Sequence, residues 1–313
     1  MNIAVEKTSK TDIRLWLAFA AIYIIWGTTY LAIKIGIEDF PPFMMAAIRY
    51  LIAGVLLLGF ALIKKEEIFS VNAIRNMIIG AFIMTFGQAI AFWSEKYISS
   101  GLTAVFGSLL PICYIITDRR NWHVYKGSKL TLFSIALGIV GIIVLFINPS
   151  RASEQQETGW ITIIASVVTV AACFCWAAGS LYFKYHNKRG SLFENVGWQL
   201  MGGMICCFLI ALFAGEFRNF NFSLVPLRAW MAVLYLAIAG SIVALISLYW
   251  LLARRPAALV GTYAYVNPVI AVLLGYLIAN EEITVIQIVG MCIILLAAYL
   301  ANNVKLKSEG QTE

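Results

Sequence analysis

Charge is scarce in this chain of 313 residues, where Asp, Glu, Lys and Arg together make up 12%. That is about half the share of an ordinary soluble domain. The shortage excludes a soluble one- or two-domain enzyme, which needs a charged face to stay dissolved. Histidine is rarer still: His123 and His186 are the only two, and both fall between apolar segments. Paired carboxylates, His clusters and an activated nucleophile, the usual parts of a catalytic centre, are missing from the pattern. The six cysteines all sit inside apolar stretches, where Cys behaves as a small buried residue. They suggest neither a disulfide framework nor a zinc site. No Gly-x4-Gly-Lys-Ser/Thr loop for ATP occurs. The expectation is therefore no catalytic residues, no metal and no cofactor.

Apolar residues fill the space that charge leaves, at 61% of the chain. A helix needs roughly 20 apolar residues to cross about 30 Å of hydrocarbon. Ten such runs are present, at 15–36, 42–63, 76–94, 99–117, 130–148, 159–183, 193–214, 229–252, 256–279 and 283–303. The pattern predicts an all-α polytopic membrane protein with ten transmembrane helices. The runs are continuous rather than alternating, which excludes a transmembrane β-barrel. The first run lacks a small-residue cleavage site and leads into further spans, so it reads as a span and not as a signal peptide.

The net charge of +7 is a loop bias that orients the helices and not a nucleic-acid footprint. Seventeen Lys and Arg fall on the side of the N-terminus and five on the other. This asymmetry predicts both termini in the cytoplasm, in a cytoplasmic (inner) membrane. Trp16, Trp122, Trp160 and Trp230 lie at span ends, where amphipathic rings anchor at the interface.

The two halves of the chain align with each other. Trp26 falls on Trp176, Leu31 on Leu181 and Lys34 on Lys184 at an offset of 150. Phe92 falls on Tyr249, Trp93 on Trp250 and Pro111 on Pro268 at an offset of 157. Five spans per half is an odd number, so the second copy is expected to thread the bilayer upside down. Two inverted five-helix repeats are a mark of secondary transporters, whose site lies between the halves. The expected organisation is a tail over 1–14, a first repeat over 15–148, a linker over 149–158, a second repeat over 159–303 and a tail over 304–313.

On these residues the chain resembles the drug/metabolite transporter superfamily, specifically the EamA-type ten-helix transporters. The matching residues are Trp26-Gly27-Thr28-Thr29, Pro41-Pro42 with Arg49 seven residues on, Ala104 and Pro111, then Trp176, Pro256-Ala257-Ala258, Pro268 and Glu281-Glu282. The sequence departs from the pattern after the fourth run. There it carries Asp118-Arg119-Arg120-Asn121-Trp122-His123 where members often have Gly-Glu. The resemblance implies a basket of ten helices that exports small organic metabolites, such as amino acids or related amphiphilic compounds, by alternating access. An uptake permease of the same fold is the alternative, with a non-transporting integral membrane protein or a membrane enzyme as the remoter ones. The expected partners are a small-molecule substrate and the lipid bilayer, with no nucleic acid and no obligate protein partner.

Lys34, Arg49 and Glu194 are the only charged residues within the ten runs. Lys34 and Glu194 lie near helix ends and can snorkel. Arg49 sits seven residues into the second run, about 10 Å from its end. An Arg at a helix centre costs roughly 2.5–3.5 kcal/mol on insertion scales, and such residues face a bundle interior or a cavity. Arg49 either attracts an anion or locks helices together by hydrogen bonds. No carboxylate lies near the midplane, so facilitated efflux is expected over proton antiport; coupling would need Glu95 or Glu194 at the span margins. The expected substrate pathway is aromatic and amide: Trp26, Arg49, Gln88, Phe92, Trp93, Ser108, Trp176, Trp198, Gln199, Tyr249, Trp250, Tyr265 and Asn267. Polar residues at this depth face protein or water rather than lipid, and helix packing is the competing role for each ring. Pro111 and Pro268 are expected mid-span, as hinges or as static bends. Gly138, Gly141, Gly202 and Gly203 are expected to permit close helix approach.

Overall fold

The computed structural model describes residues 13–70, 72–98, 103, 106–146, 159–187, 190–218, 220–279 and 284–302. Among them the chain is helical throughout, with no strand. In hydrocarbon each backbone N–H and C=O must be satisfied within its own segment, and continuous apolar runs therefore become helices. The helices are α1 (Ile13–Asp39) and α2 (Pro42–Ile63), α3 (Ala73–Ser94), α4 (Leu110–Thr117) and α5 (Lys129–Phe146). They continue with α6 (Trp160–His186) and α7 (Leu192–Phe213), α8 (Leu227–Leu252), α9 (Tyr263–Ala279) and α10 (Val285–Asn302). A short helix, Trp122–Gly127, precedes α5, and a single turn, Ala257–Val260, precedes α9.

Seven of these helices are long and apolar enough to cross a membrane, eight if the bent segment from Arg119 to Leu145 counts as one span. Hydropathy alone gives ten. Apart from the bent α5 segment, the difference lies at α4, whose continuous helix holds eight of the nineteen residues in the expected run, and at α10, whose apolar stretch Val285–Ala301 is slightly short. The expected linker, residues 1–12 of the first expected tail and the whole of the second, together with Ala104, Glu281 and Glu282, lie outside the described residues, whereas Ile13 and Arg14 open α1.

Local chemistry fixes the helix ends. Pro41 is extended and Pro42 opens α2, where the missing N–H costs nothing and the ring pre-sets φ. The α2 N-terminus is capped from a distance by Glu216, whose carboxylate accepts from the N–H of Met44 at 2.8 Å. Ser191 caps α7, with its hydroxyl accepting from the Glu194 N–H at 3.1 Å. Glu194 in turn accepts from the Ser70 N–H at 3.1 Å and so holds the turn after α2.

Helix contacts follow one rule. Adding five to each helix of the first half, and subtracting five in the second, maps the principal contacts onto one another. α2 packs on α7, α5 on α10, and α4 on the turn before α9. α1 packs on α8 and α9, as α6 packs on α3 and α4; α7 packs on α3, as α2 packs on α8. Small residues bring the paired helices together. A β-carbon on Gly202 would lie 1.9 Å from the Met77 carbonyl oxygen, and one on Gly80 would lie 2.0 Å from that of Gln199. One on Gly141 would meet Ile294, and one on Gly138 the Tyr265 ring. Outward faces carry large exposed apolar side chains such as Ile163, Val167, Leu209 and Leu296, as contact with lipid chains requires.

Two spans related by the internal repeat depart from α geometry. α3 is π-helical over Thr85–Ala89, and α8 over Leu236–Val243. Such insertions widen one turn and aim backbone carbonyls away from the usual ladder. Pro268 sits inside α9. Pro111 does not sit in mid-helix: the chain turns at Ser108–Leu109 and Pro111 occupies the first turn of α4, where it breaks no internal hydrogen bond.

Candidate functional site

A cavity of about 140 Å³ lies between the two halves. α1, α2, α3 and α4 contribute from the first half, α6 and α9 from the second. Each long helix presents a stripe at helical spacing, as residues three, four and seven apart share a face. α1 gives Trp26, Thr29, Tyr30 and Ile33; α3 gives Gln88, Ala91, Phe92 and Glu95; α6 gives Thr169, Ala172, Cys173 and Trp176. α9 adds Tyr263, Ala264 and Asn267, and α2 adds Arg49.

The aromatic floor joins the repeats. Trp26 and Trp176, partners in the internal alignment, meet edge to face with centroids 5.8 Å apart. Tyr263 packs on Trp26 at 4.5 Å. The Trp26 indole N–H donates to the Gly240 carbonyl at 3.0 Å, inside the π-helical stretch of α8. That bond fixes the ring and satisfies its one donor.

Arg49 is 1% exposed. Its Nε donates to the Ser241 hydroxyl at 2.7 Å, so the π stretch of α8 also positions the guanidinium. Nη2 is buried without a hydrogen-bond partner. The guanidinium carbon lies 5.6 Å from the Phe92 ring centre and 5.5 Å from that of Tyr50, close enough for cation–π attraction. The Tyr50 hydroxyl shares its proton between Gln88 Oε1, at 2.9 Å, and the Met84 carbonyl, at 3.0 Å. Tyr30 and Asn267 line the cavity together, and Asn267 Oδ1 is buried without a hydrogen-bond partner. The cavity thus offers ring faces, a free cationic N–H and free acceptors. This is the apolar pocket with a few convergent polar groups that binds small molecules.

Of the residues expected along the pathway, Trp26, Arg49, Gln88, Phe92, Trp176 and Asn267 line the cavity. The other seven stand away from it. Trp93 packs on Tyr97 at 5.0 Å, and its repeat partner Trp250 covers the Arg254 guanidinium at 3.9 Å. The Trp198 indole donates to the Ile68 carbonyl at 2.6 Å and packs on Phe69. The Tyr249 hydroxyl donates to Gln199 Oε1 at 2.8 Å, deep between helices. Tyr265 packs on Gly138 and reaches the Ile135 carbonyl at 3.3 Å. Ser108 is buried at the turn before α4. Hydropathy and the repeat offset give depth, but the rotation about a helix axis decides the face, and each residue turns it by about 100°. Thr29, Tyr30, Glu95 and Tyr263 were missed. All four follow from extending helical spacing from Trp26, Gln88 and Asn267.

A second polar cluster lies at the opposite end of α6, nine residues beyond Trp176, about 13 Å along the axis. Asp118 accepts from the Tyr125 hydroxyl at 2.6 Å, from the Asn121 amide at 2.9 Å and from the Tyr185 hydroxyl. The Lys184 ammonium donates to the Arg255 carbonyl at 3.1 Å. The Tyr125 oxygen accepts from the Ala258 N–H at 3.4 Å. Residues after α4 are thereby tied to the end of α6 and the start of α9.

Comparison with known proteins agrees with this architecture. The EamA-like transporter family model matches residues 14–147 and again 163–303. The inner membrane transporter YedA of Escherichia coli (strain K12) is 32% identical over 285 residues, which cover 90% of this chain and 89% of YedA. An Escherichia coli protein named a probable amino-acid metabolite efflux pump is 23% identical over 291 residues, covering 89% of this chain and 91% of its own length. A crystal structure at 17% identity superposes with a TM-score of 0.71 over 93% of this chain and 97% of its own. At that identity it speaks for the fold alone.

Proposed function

The chain belongs to the EamA-like transporter family, and from that premise we propose that it exports small organic metabolites across the cytoplasmic membrane by alternating access. Ten helices cross the bilayer in this reading, as two inverted five-helix repeats with both termini in the cytoplasm. The substrates are amino acids or related amphiphilic compounds. One observation carries the reading: a single cavity is walled by both repeats, and its floor is the Trp26–Trp176 contact at 5.8 Å. A site at the repeat interface is the geometry of a secondary transporter, in which one half rocks against the other around bound substrate. Residue chemistry adds support. Ring faces suit an apolar side chain, and the free Arg49 N–H suits a carboxylate, which guanidinium holds better than any other side chain. The name of the efflux-pump relative points to the same compounds.

The test compares metabolites in the medium of strains that overproduce the protein with those of strains that lack it. At least one amino-acid-like compound is expected to accumulate outside the overproducing cells, and a Trp176→Ala variant made in equal amount is expected to abolish the excess. Depletion of a compound from the medium would reverse the direction to uptake, and no change in any compound would refute the reading.

A further inference from the structure

Glu95 closes one end of the cavity, and the reading above gives it no task. It directly follows Ser94, the last residue of α3, one turn beyond Phe92. The residue keeps some exposure, yet Oε1 is sealed from solvent and has no hydrogen-bond partner. A carboxylate oxygen enclosed in this way is costly unless something binds it. The ionisable and charged groups around it are few. Tyr30 and Lys34 face it from α1, Arg49 shares the cavity from α2, Cys173 from α6 and Tyr263 from α9. Burial pushes the Glu95 carboxyl above the usual carboxylate range, and Lys34, itself exposed, offsets only part of that; an ammonium bound beside it restores the charge. Arg49 is committed through Nε to Ser241. Of four enclosed, unsatisfied atoms on the cavity lining, Trp176 Nε1 and Asn267 Oδ1 are neutral and Arg49 Nη2 and Glu95 Oε1 belong to groups of opposite charge, with aromatic rings between their helices.

We propose that Glu95 is the amine-binding pole of this cavity: its carboxylate receives the protonated amino group of the substrate while Arg49 receives the anionic end. The cavity then selects molecules that carry both charges over analogues that lack the amine. This inference rests on the cavity being the transport site. Both poles are supplied by the first repeat, and the second repeat supplies much of the ring surface, through Trp176 and Tyr263.

The experiment uses the purified full chain in detergent and three probes with one side chain: L-phenylalanine, phenethylamine and 3-phenylpropionate. Binding is read from tryptophan fluorescence, since Trp26 and Trp176 line the cavity. Wild type is expected to bind phenylalanine roughly tenfold or more tighter than 3-phenylpropionate, the contribution of a charge-assisted contact. Glu95→Gln is expected to lose that preference and most of its affinity for phenethylamine, while its affinity for 3-phenylpropionate does not fall, since a like charge has been removed. Glu95→Asp, which keeps the charge, is expected to retain much of the preference. If Glu95→Gln fails to fold, carbodiimide labelling of Glu95 in wild type replaces it, and N,N-dimethylphenethylamine, a tertiary amine that forms no amide with the activated carboxyl, is expected to slow the labelling. A folded Glu95→Gln protein with the full preference, or labelling that the amine does not slow, overturns the proposal and leaves any amine to the ring faces. Wild type that binds none of the probes overturns it as well. If export persists in the metabolite comparison, only the amine pole has failed; if export is also absent, the transport reading has failed with it.

Discussion

Arg49 shows how a single residue joins folding to function. Placing a guanidinium in hydrocarbon is costly, and here one hydrogen bond to Ser241 and two aromatic neighbours offset part of that cost. The unspent Nη2 is what makes the residue more than a fastener. Arg49→Gln is expected to lower export of a carboxylate-bearing substrate by roughly tenfold or more, as loss of a charge-assisted pair requires, in protein that still folds. Arg49→Lys restores the charge but not the Nε contact to Ser241, so recovery is expected to be partial. Export measured against the amount of folded protein separates the outcomes: a lower melting temperature with unchanged export would make Arg49 a structural tie only. The residue was legible in the sequence because charge is so rare inside the apolar runs. Its partner was not, since Ser241 lies 192 positions away and one serine among many in apolar segments carries no signal.

At the scale of elements, close packing depends on positions that tolerate no side chain. Gly202 brings α7 against the Met77 backbone of α3, with a hypothetical β-carbon 1.9 Å from a carbonyl oxygen that cannot swing aside. Gly202→Ala is expected to destabilise the protein by roughly 1–3 kcal/mol, the usual cost of overpacking. Gly59→Ala on α2 meets nothing within 4 Å and is expected to be neutral or stabilising by up to about 1 kcal/mol, from helix propensity. Melting temperatures of the two variants in detergent decide the matter; equal shifts would mean that α7 relaxes away from α3. The close-packed glycines, seven of the ten expected spans and the Trp26–Trp176 pairing were legible from pattern. The π-helical stretches in α3 and α8 were not, because their sequences are ordinary apolar helix and the extra residue per turn is set by the neighbours. Pro111 misled for a related reason. A run of apolar residues does not reveal that the chain turns at Ser108–Leu109, so a helix opener read as a helix breaker. Trp93 and Trp250 were placed correctly as repeat partners and wrongly as cavity walls. Symmetry carries both to equivalent outer positions, one residue from the cavity stripe of α3 and its counterpart in α8.

The whole molecule is organised by the exchange of its halves, which the constant offsets of Trp and Pro already disclosed. An exchange symmetry that were perfect would leave both ends of the cavity alike, and they are not. One end is walled by Arg49, Gln88 and Glu95. The other is shut beneath Trp176 by Tyr114 and then by the Asp118 cluster, which ties the first half to the second through Tyr185 and Ala258. Among the described residues Asp118 is the one carboxylate in that cluster, and the cations of Arg120 and Lys184 lie 4.5 Å and 5.5 Å from the Tyr185 ring. Removing it unties three hydrogen bonds and leaves those cations uncompensated, so the closed arrangement loses stability relative to one open at this end. The sequence marked this segment only as a departure from the family pattern, because its hydrogen bonds span 67 positions from Asp118 to Tyr185. Asp118→Ala is expected to raise the reactivity of Cys113, buried at 1% one turn above, toward a maleimide added from the side of the termini. The measurement needs a protein in which the other five cysteines are replaced, in membrane vesicles of known orientation. A several-fold faster reaction, slowed again by substrate, is expected if this cluster holds the inner end closed. An unchanged rate would mean that helix packing, not Asp118, seals that end, and that the asymmetry of the two halves has no part in the transport cycle.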